Sequence, residues 1–83
     1  MGKILIPLAP GFEEIEAVTS IDVLRRAGLD VLTAGIGSKE IKGDHGIKIE
    51  SDTEISEVSS DHLSAVVLPG GMPGAANLRD NAQ

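Results

Sequence analysis

Three glutamates within one helical turn are the acidic groups with which this sequence could do chemistry. Glu13, Glu14 and Glu16 stand at the start of a helical pattern, and a positioned carboxylate can act as a general acid or base. Carboxylates are also favoured near the positive end of a helix dipole, so this placement requires no catalytic purpose. Both interpretations stay open, and stabilisation of the helix is the commoner one.

A glycine turn follows the last predicted strand. Residues 64–68 (SAVVL) run into Pro69-Gly70-Gly71, and ligands of open α/β sheets bind at the carboxyl ends of the strands. Consecutive glycines let bare backbone N–H groups point into such a cleft, where they can bind an anion or stabilise an oxyanion. Gly70 and Gly71 are therefore candidates, although an ordinary strand-to-helix turn also explains them. The run matches neither a Walker loop nor the dinucleotide fingerprint.

Cysteine and histidine offer little in this chain. There is no cysteine, which excludes a disulfide scaffold, a thiolate metal site and a cysteine nucleophile within these residues. His45 and His62 are isolated in polar surroundings, and no second histidine or suitably spaced carboxylate completes a metal site. We expect both histidines at the surface, although His45 lies in a glycine-flanked turn and could line a cleft. We expect neither a metal nor an organic cofactor.

The charge of the chain narrows the classes of partner. The net charge is −6 and the seven basic residues are scattered, so there is no electrostatic footprint for nucleic acid or for an anionic membrane. The apolar run from Ile4 to Ala9 is too short for a signal peptide and is interrupted by Pro7, and nothing approaches the length of a membrane span. We predict no nucleic-acid partner, no membrane association and a cytoplasmic location.

Hydrophobic periodicity and glycine stops predict an alternation of strands and helices. In chain order the predicted elements are a buried strand over 3–9, a helix from Phe12 or Glu13 to about Ala27 that stops at Gly28, a strand over 30–36, a hairpin over 41–49, a short acidic surface helix over 52–63, a buried strand over 64–68, and the start of a helix over 75–80. The first strand, helix and second strand form a βαβ unit, so these strands should be parallel with a right-handed crossover. The apolar residues are nearly all aliphatic, which suits strands covered by helices.

This set of elements leaves a sheet edge and a sheet face uncovered. Native domains avoid exposed edges and large apolar faces. We therefore expect more chain, or another chain, to complete the fold.

The first predicted helix carries apolar residues on two faces. At about 3.6 residues per turn, the face expected on the sheet comprises Ala17, Val18, Ile21 and Leu24. The nearly opposite face comprises Ile15, Thr19 and Val23. Scattered apolar surface residues are common, but a stripe of this kind also suits a two-fold contact with a second copy of the chain.

Three motifs, in this order, resemble the ThiJ/PfpI (DJ-1-like) family. They are residues 10–16 (PGFEEIE) with 22–28 (DVLRRAG), residues 44–47 (DHGI), and residues 66–75 (VVLPGGMPGA) followed by 77–79 (NLR). The resemblance covers essentially all 83 residues. It implies a flavodoxin-like three-layer α/β sandwich with a mostly parallel sheet. Residues 1–83 would be the N-terminal part of a single ThiJ/PfpI (class I glutamine amidotransferase-like) domain.

The resemblance also implies an active site. Family members place a reactive cysteine on a strand-to-helix elbow, and Glu16 matches the acid that contacts its sulfur and tunes its ionisation. Gly71, supported by Gly70, matches the oxyanion-binding backbone. The cysteine and a following histidine are expected beyond Gln83. This chain should therefore contain the acid and the oxyanion-binding backbone but not the nucleophile. In many relatives the first helix forms the dimer contact, in agreement with the outer stripe of the predicted helix.

For a complete protein the resemblance implies a cysteine-dependent enzyme of the glyoxalase III or protein deglycase type. Its substrate would be methylglyoxal or an adduct of it, that is, a small aldehyde or a glycated molecule. The alternatives are an intracellular cysteine peptidase of the PfpI type and a non-enzymatic oxidative-stress sensor or chaperone. The expected partners are a second copy of the protein and the C-terminal part of the domain, and the 83-residue chain alone is expected to be inactive.

Overall fold

Aliphatic runs separated by glycine turns build a parallel sheet with one long helix and a separate hairpin. The computed structural model describes residues 2–69. The strands are β1 (Lys3–Leu8), β2 (Val31–Gly35), β3 (Glu40–Lys42), β4 (Lys48–Glu50), β5 (Thr53–Glu54) and β6 (Leu63–Val66), and the helix is α1 (Glu14–Arg26). Two short 3₁₀ turns, Ile55–Glu57 and Ser60–His62, connect β5 to β6.

The sheet has the strand order β5-β2-β1-β6, and every neighbouring pair in it is parallel. In the central pair Ile4 lies opposite Val31 and Leu8 opposite Gly35. The predicted pairing of the first two strands is therefore confirmed. The predicted hairpin is also confirmed, because β3 and β4 are antiparallel with Ile41 opposite Ile49.

The core lies between the sheet, α1 and the hairpin. Its largest fully buried side chains are Phe12, Ile6, Leu8 and Ile41. Burial of such side chains stabilises a fold by roughly 1.5–3 kcal/mol each. Because Ile41 comes from β3, the hairpin is part of the core and holds a fixed place against α1 and the sheet.

Both ends of α1 follow from the local sequence. The first turn carries acidic residues and the last turn carries Arg25 and Arg26, which complements the helix dipole at each end. The helix stops at Gly28, whose φ of +85° suits a residue without a Cβ. There the Gly28 and Leu29 N–H groups donate to the Arg25 and Leu24 carbonyls, the Schellman arrangement.

The prediction for the two faces of α1 is partly wrong. Ala17 is fully buried, and Ile21 and Leu24 pack against the core, as expected. Val18 was predicted on the core face, but 48% of it is exposed. It lines a groove between α1 and β4 with Ile21 and Ile49, so the hairpin does not reach across it.

Two predictions in the second half of the chain are also wrong in part. The surface helix predicted over 52–63 is absent, because residues 53–54 pair with β2 as β5 and only single 3₁₀ turns follow. The strand predicted over 64–68 exists as β6 (Leu63–Val66), but most of it is exposed, with Val66 53% exposed. Leu68, which follows the strand, is 64% exposed. Among the described residues β6 is also an edge strand, so one side of its backbone is unpaired there. The helix predicted over 75–80 lies outside the described residues.

Candidate functional site

Strands β1 and β6 end at the same edge of the sheet, the one formed by the carboxyl ends of its parallel strands. They are parallel neighbours with Leu5 opposite Val66, and the Val67 N–H donates to the Leu5 carbonyl at 2.9 Å. Beyond this edge β1 leads through a turn at Gly11, with φ +88°, into the first turn of α1. Beyond it β6 leads to the buried Pro69. The candidate glycines Gly70 and Gly71 come next in the chain and lie outside the described residues.

The three glutamates at the start of α1 have three different environments. Glu16 is exposed, and among residues 2–69 no hydrogen bond or ion pair engages its carboxylate. Glu13 is partly exposed and its Oε1 lies 3.5 Å from Nδ1 of His45. Glu14 is only 5% exposed. Glu14 is therefore a buried residue and not a solvent-exposed acid at the helix end.

The Glu14 carboxylate is bound by the hairpin tip, which we define as residues 43–47. Its Oε2 accepts hydrogen bonds from the backbone N–H groups of His45, at 2.7 Å, and Ile47, at 3.2 Å. Its Oε1 lies 3.1 Å from Nδ1 of His45. A Cβ at Gly43 would stand 2.5 Å from the Glu14 carboxyl carbon, so the close approach of the acid to the tip requires glycine at this position.

These contacts shift the pKa of both partners. Burial raises the pKa of Glu14, but hydrogen bonds from its own backbone N–H, from the His45 ring and from the tip outweigh burial and lower that pKa to about 2. The pKa of His45 is raised, first by its hydrogen bond with Glu14 and then by the negative charges of Glu13 and Glu14. The pair is therefore an ionised carboxylate against an imidazole that favours its protonated form.

Two backbone hydrogen bonds connect the hairpin to the loop that precedes α1. The Gly11 N–H donates to the Lys42 carbonyl at 3.0 Å, and the Asp44 N–H donates to the Phe12 carbonyl at 2.8 Å. With the Glu14 contacts they fix the path from β1 into the helix. The hairpin is thus a support for the turn that carries Glu16.

One histidine and two carboxylates also come together beside the tip. Glu13, Asp44 and His45 place potential ligand atoms within 4.8 Å of one another. The sequence prediction that no suitably spaced carboxylate accompanies a histidine missed this grouping, which the hairpin creates in space. Attraction between the two carboxylates and a protonated ring accounts for the cluster without a metal, and the expected absence of a metal stays a prediction.

The role of Glu14 was missed, although the sequence contained a signal for it. Glu14 lies three residues before Ala17 and seven before Ile21, so helical periodicity puts it on the same inward face. His45 was expected at the surface, and its side chain is 67% exposed, but its contacts with the acids could not be read from spacing. His62 is exposed, as predicted.

The outer stripe of α1 is exposed, as predicted. Ile15 and Val23 are 76% and 56% exposed, and Thr19 is exposed as well. Thr19 and Val23 line a shallow apolar groove with Leu24 and Val67, beside the open β6 edge. No helix within residues 2–69 has the length and apolar character needed to cross a bilayer.

Comparison with known proteins identifies relatives of this chain. It is 43% identical over 79 residues to Protein DJ-1 homolog B of Arabidopsis thaliana, a match that covers 94% of the chain and 18% of the relative. It is 35% identical over 81 residues to a deglycase of Thermococcus kodakarensis, and this match covers 96% of the chain and 49% of the relative. The chain thus spans less than half the length of either protein.

The structure of oxidized DJ-1 from Toxoplasma gondii superposes on this chain with a TM-score of 0.92 at 41% identity, over 99% of the chain and 45% of that protein. The parallel sheet with α1 is therefore part of the flavodoxin-like α/β fold of the DJ-1 structures. The model of the DJ-1/PfpI family matches residues 2–83. The chain belongs to the DJ-1/PfpI family.

Proposed function

We propose that these residues supply the acid and the anion-binding backbone of a cysteine-dependent site in a protein of full family length, called the full-length protein below. The activity is of the glyoxalase III or deglycase type. The observation that supports it is the parallel pairing of β1 with β6. This pairing directs the turn with Glu16 and the segment leading to Gly70 to one edge of the sheet.

The exposure of Glu16 supports its role as the acid. Glu14 is held by the hairpin tip and Glu13 lies against His45, whereas the Glu16 carboxylate has no partner among residues 2–69. A protonated carboxyl that donates to a thiolate stabilises the charged sulfur and lowers the pKa of the thiol. Of the three glutamates, Glu16 is therefore the one available for this task.

The proposed reaction begins with a thiolate from the part of the domain beyond Gln83. The sulfur attacks the aldehyde carbon, a C–S bond forms, and the carbonyl electron pair moves to oxygen to give a hemithioacetal. The backbone N–H of Gly71, supported by Gly70, stabilises the oxyanion, and the protonated Glu16 carboxyl gives its proton to that oxygen to complete the hemithioacetal. The substrate is a small aldehyde such as methylglyoxal or its glycation adduct, in keeping with the deglycase among the relatives.

The proposal includes the assembly and location of the protein. The rest of one ThiJ/PfpI domain covers the exposed β6 edge, and two copies associate through Ile15, Thr19 and Val23 of α1. We place the protein in the cytoplasm. We include no nucleic-acid or membrane partner, because the charge of −6 on these 83 residues disfavours polyanionic surfaces.

An oxidative-stress sensor or chaperone is the second candidate. It is favoured by the likeness to a DJ-1 solved in an oxidized state, since a cysteine that cycles through oxidation states would use the same acid. A peptidase of the PfpI type remains the third alternative, and no contact among residues 2–69 favours it.

Methylglyoxal turnover tests the proposal. We expect activity from the full-length protein, strong loss in its Glu16→Gln variant, and none from the 83-residue chain, which has no thiolate. Substantial turnover by the 83-residue chain would overturn the cysteine mechanism. An inactive full-length protein whose cysteine is reversibly oxidised, seen by mass spectrometry, would favour the sensor.

A further inference from the structure

The turn that carries Glu16 is anchored from outside the helix. The hairpin tip binds the loop before α1 through the Asp44 N–H, which donates to the Phe12 carbonyl at 2.8 Å. It binds the helix itself through the Glu14 carboxylate, which accepts hydrogen bonds from the backbone N–H groups of His45 and Ile47. Glu14 is the first residue of α1, so this anchor acts where the direction of the helix is set.

Helix geometry ties the direction of Glu16 to that of Glu14. Side chains two residues apart on a helix point about 200° apart around its axis. With Glu14 fixed against the hairpin, Glu16 must point to the opposite side of the helix. Glu14 is 5% exposed and Glu16 is exposed, as this geometry requires. The Glu14 contacts therefore restrain rotation of the first turn and keep Glu16 facing away from the hairpin.

We propose that Glu14 is a positioning residue: by binding the hairpin tip it holds the first turn of α1 in the rotation that presents Glu16 to the reacting sulfur. The proposal rests on the proposed function of Glu16 and assigns Glu14 no contact with the substrate. Glycine at position 43 serves the same purpose, because a Cβ there would displace the Glu14 carboxylate.

The test uses Glu14→Gln in the full-length protein with methylglyoxal as the probe. The amide keeps the size of the side chain but loses the charge. If its oxygen accepts the His45 and Ile47 N–H groups in place of Oε2, its NH2 group is turned toward Nδ1 of His45, and the charge-assisted contact with the ring is lost. We expect kcat to fall by about tenfold or more, since small misplacements of a catalytic group are costly, while KM changes less. The acid limb of the pH–rate profile reports ionisation of the thiol, which Glu16 favours. It should therefore move to higher pH, as in Glu16→Gln.

A double-mutant cycle separates positioning from general destabilisation. If Glu14 acts through Glu16, the double variant should be no slower than Glu16→Gln alone, because the second change has nothing left to misplace. Glu13→Gln is the matched control and should leave the profile in place. Gly43→Ala, which acts on Glu14 from the hairpin side, should reproduce the effect of Glu14→Gln.

Each outcome decides the proposal. Independent losses that multiply in the double variant, or an unmoved acid limb, overturn the positioning role while leaving the function of Glu16 intact. A Glu16→Gln variant with full activity overturns both that function and the positioning role. If Glu14→Gln does not fold, Glu14→Asp decides instead. It keeps the charge on a shorter arm, so the acid limb should move part of the way, and an unmoved limb overturns the proposal.

Discussion

The Glu14 carboxylate lies 3.1 Å from Nδ1 of His45, across 31 residues of sequence. The contact joins a buried acid at the start of α1 to a largely exposed ring on the hairpin tip. The same carboxylate also accepts hydrogen bonds from two backbone N–H groups, which favours its ionised form. The negative charge in turn raises the affinity of the His45 ring for a proton. The attachment of the hairpin to the helix should therefore depend on pH from both sides.

We expect this attachment to be strongest in weakly acidic solution. The pKa of Glu14 falls from 4.5 to about 2, so its contribution is complete above pH 4.5 and is lost as the pH falls toward 2. The pKa of His45 is raised above 6.5, so its contribution is complete below pH 6.5 and is lost as the pH rises through the raised value. Protection of the His45 and Ile47 amides from hydrogen exchange, measured against pH, checks this.

The control for the pH prediction is Glu14→Gln. Removal of the acid takes away the largest cause of the His45 shift, so an NMR titration of the ring should give a lower pKa than in the parent. The acidic residues Glu13 and Asp44 remain beside the ring and keep part of the shift. A His45 pKa that is the same in both proteins contradicts the pairing.

Glu16→Gln in the full-length protein should cost much more activity than Glu13→Gln. Loss of a general acid or base lowers rates by about 10²–10⁴-fold, whereas the Glu13 carboxylate lies beside the exposed His45 ring and its loss should matter little. Each variant removes one negative charge from the start of α1, so the two have the same net charge and differ only in the position of the change. Equal, small effects in a steady-state methylglyoxal assay would make Glu16 an ordinary dipole-stabilising residue.

Elements dominated by local sequence were predictable. The periodic apolar residues of β1, α1 and β2, with a stop at Gly28, gave the βαβ unit. The partner of Glu14 was not predictable, because backbone N–H groups of a distant turn carry no residue-specific signal. The short strand at 53–54 exists only because β2 offers a free edge, and Val18 is exposed because the hairpin stops short of it. These features depend on distances between elements, which one sequence does not specify.

Removal of two buried hydroxyl groups should have different effects on the stability of the protein. Ser51 is 3% exposed, and its Oγ has no hydrogen-bond partner among residues 2–69. Thr33 is 5% exposed, and its Oγ1 accepts the Asp52 N–H at 2.8 Å. Ser51→Ala should therefore be neutral or stabilising, while Thr33→Val should lower the free energy of unfolding by about 1–3 kcal/mol. Urea denaturation of the full-length protein checks both, and a large loss for Ser51→Ala would reveal a partner for that hydroxyl.

Two copies of the full-length protein should associate through the outer stripe of α1. Val23 is 56% exposed in the groove with Thr19 and Val67, and burial of a valine contributes roughly 1.5–3 kcal/mol at most. A symmetric contact counts it twice, so Val23→Asp should shift the full-length protein from dimer to monomer with its circular dichroism largely kept. Sedimentation velocity measures the shift.

Val18→Asp is the control, and the structure changes what we expect of it. On the predicted core face it would have unfolded the protein by burying an unpaired charge. With 48% of Val18 exposed beside Ile49, the aspartate can reach solvent, so the fold should survive. If Val18→Asp dissociates the dimer and Val23→Asp does not, the contact lies on the hairpin side of α1. If neither changes the affinity of the dimer, α1 is not the interface.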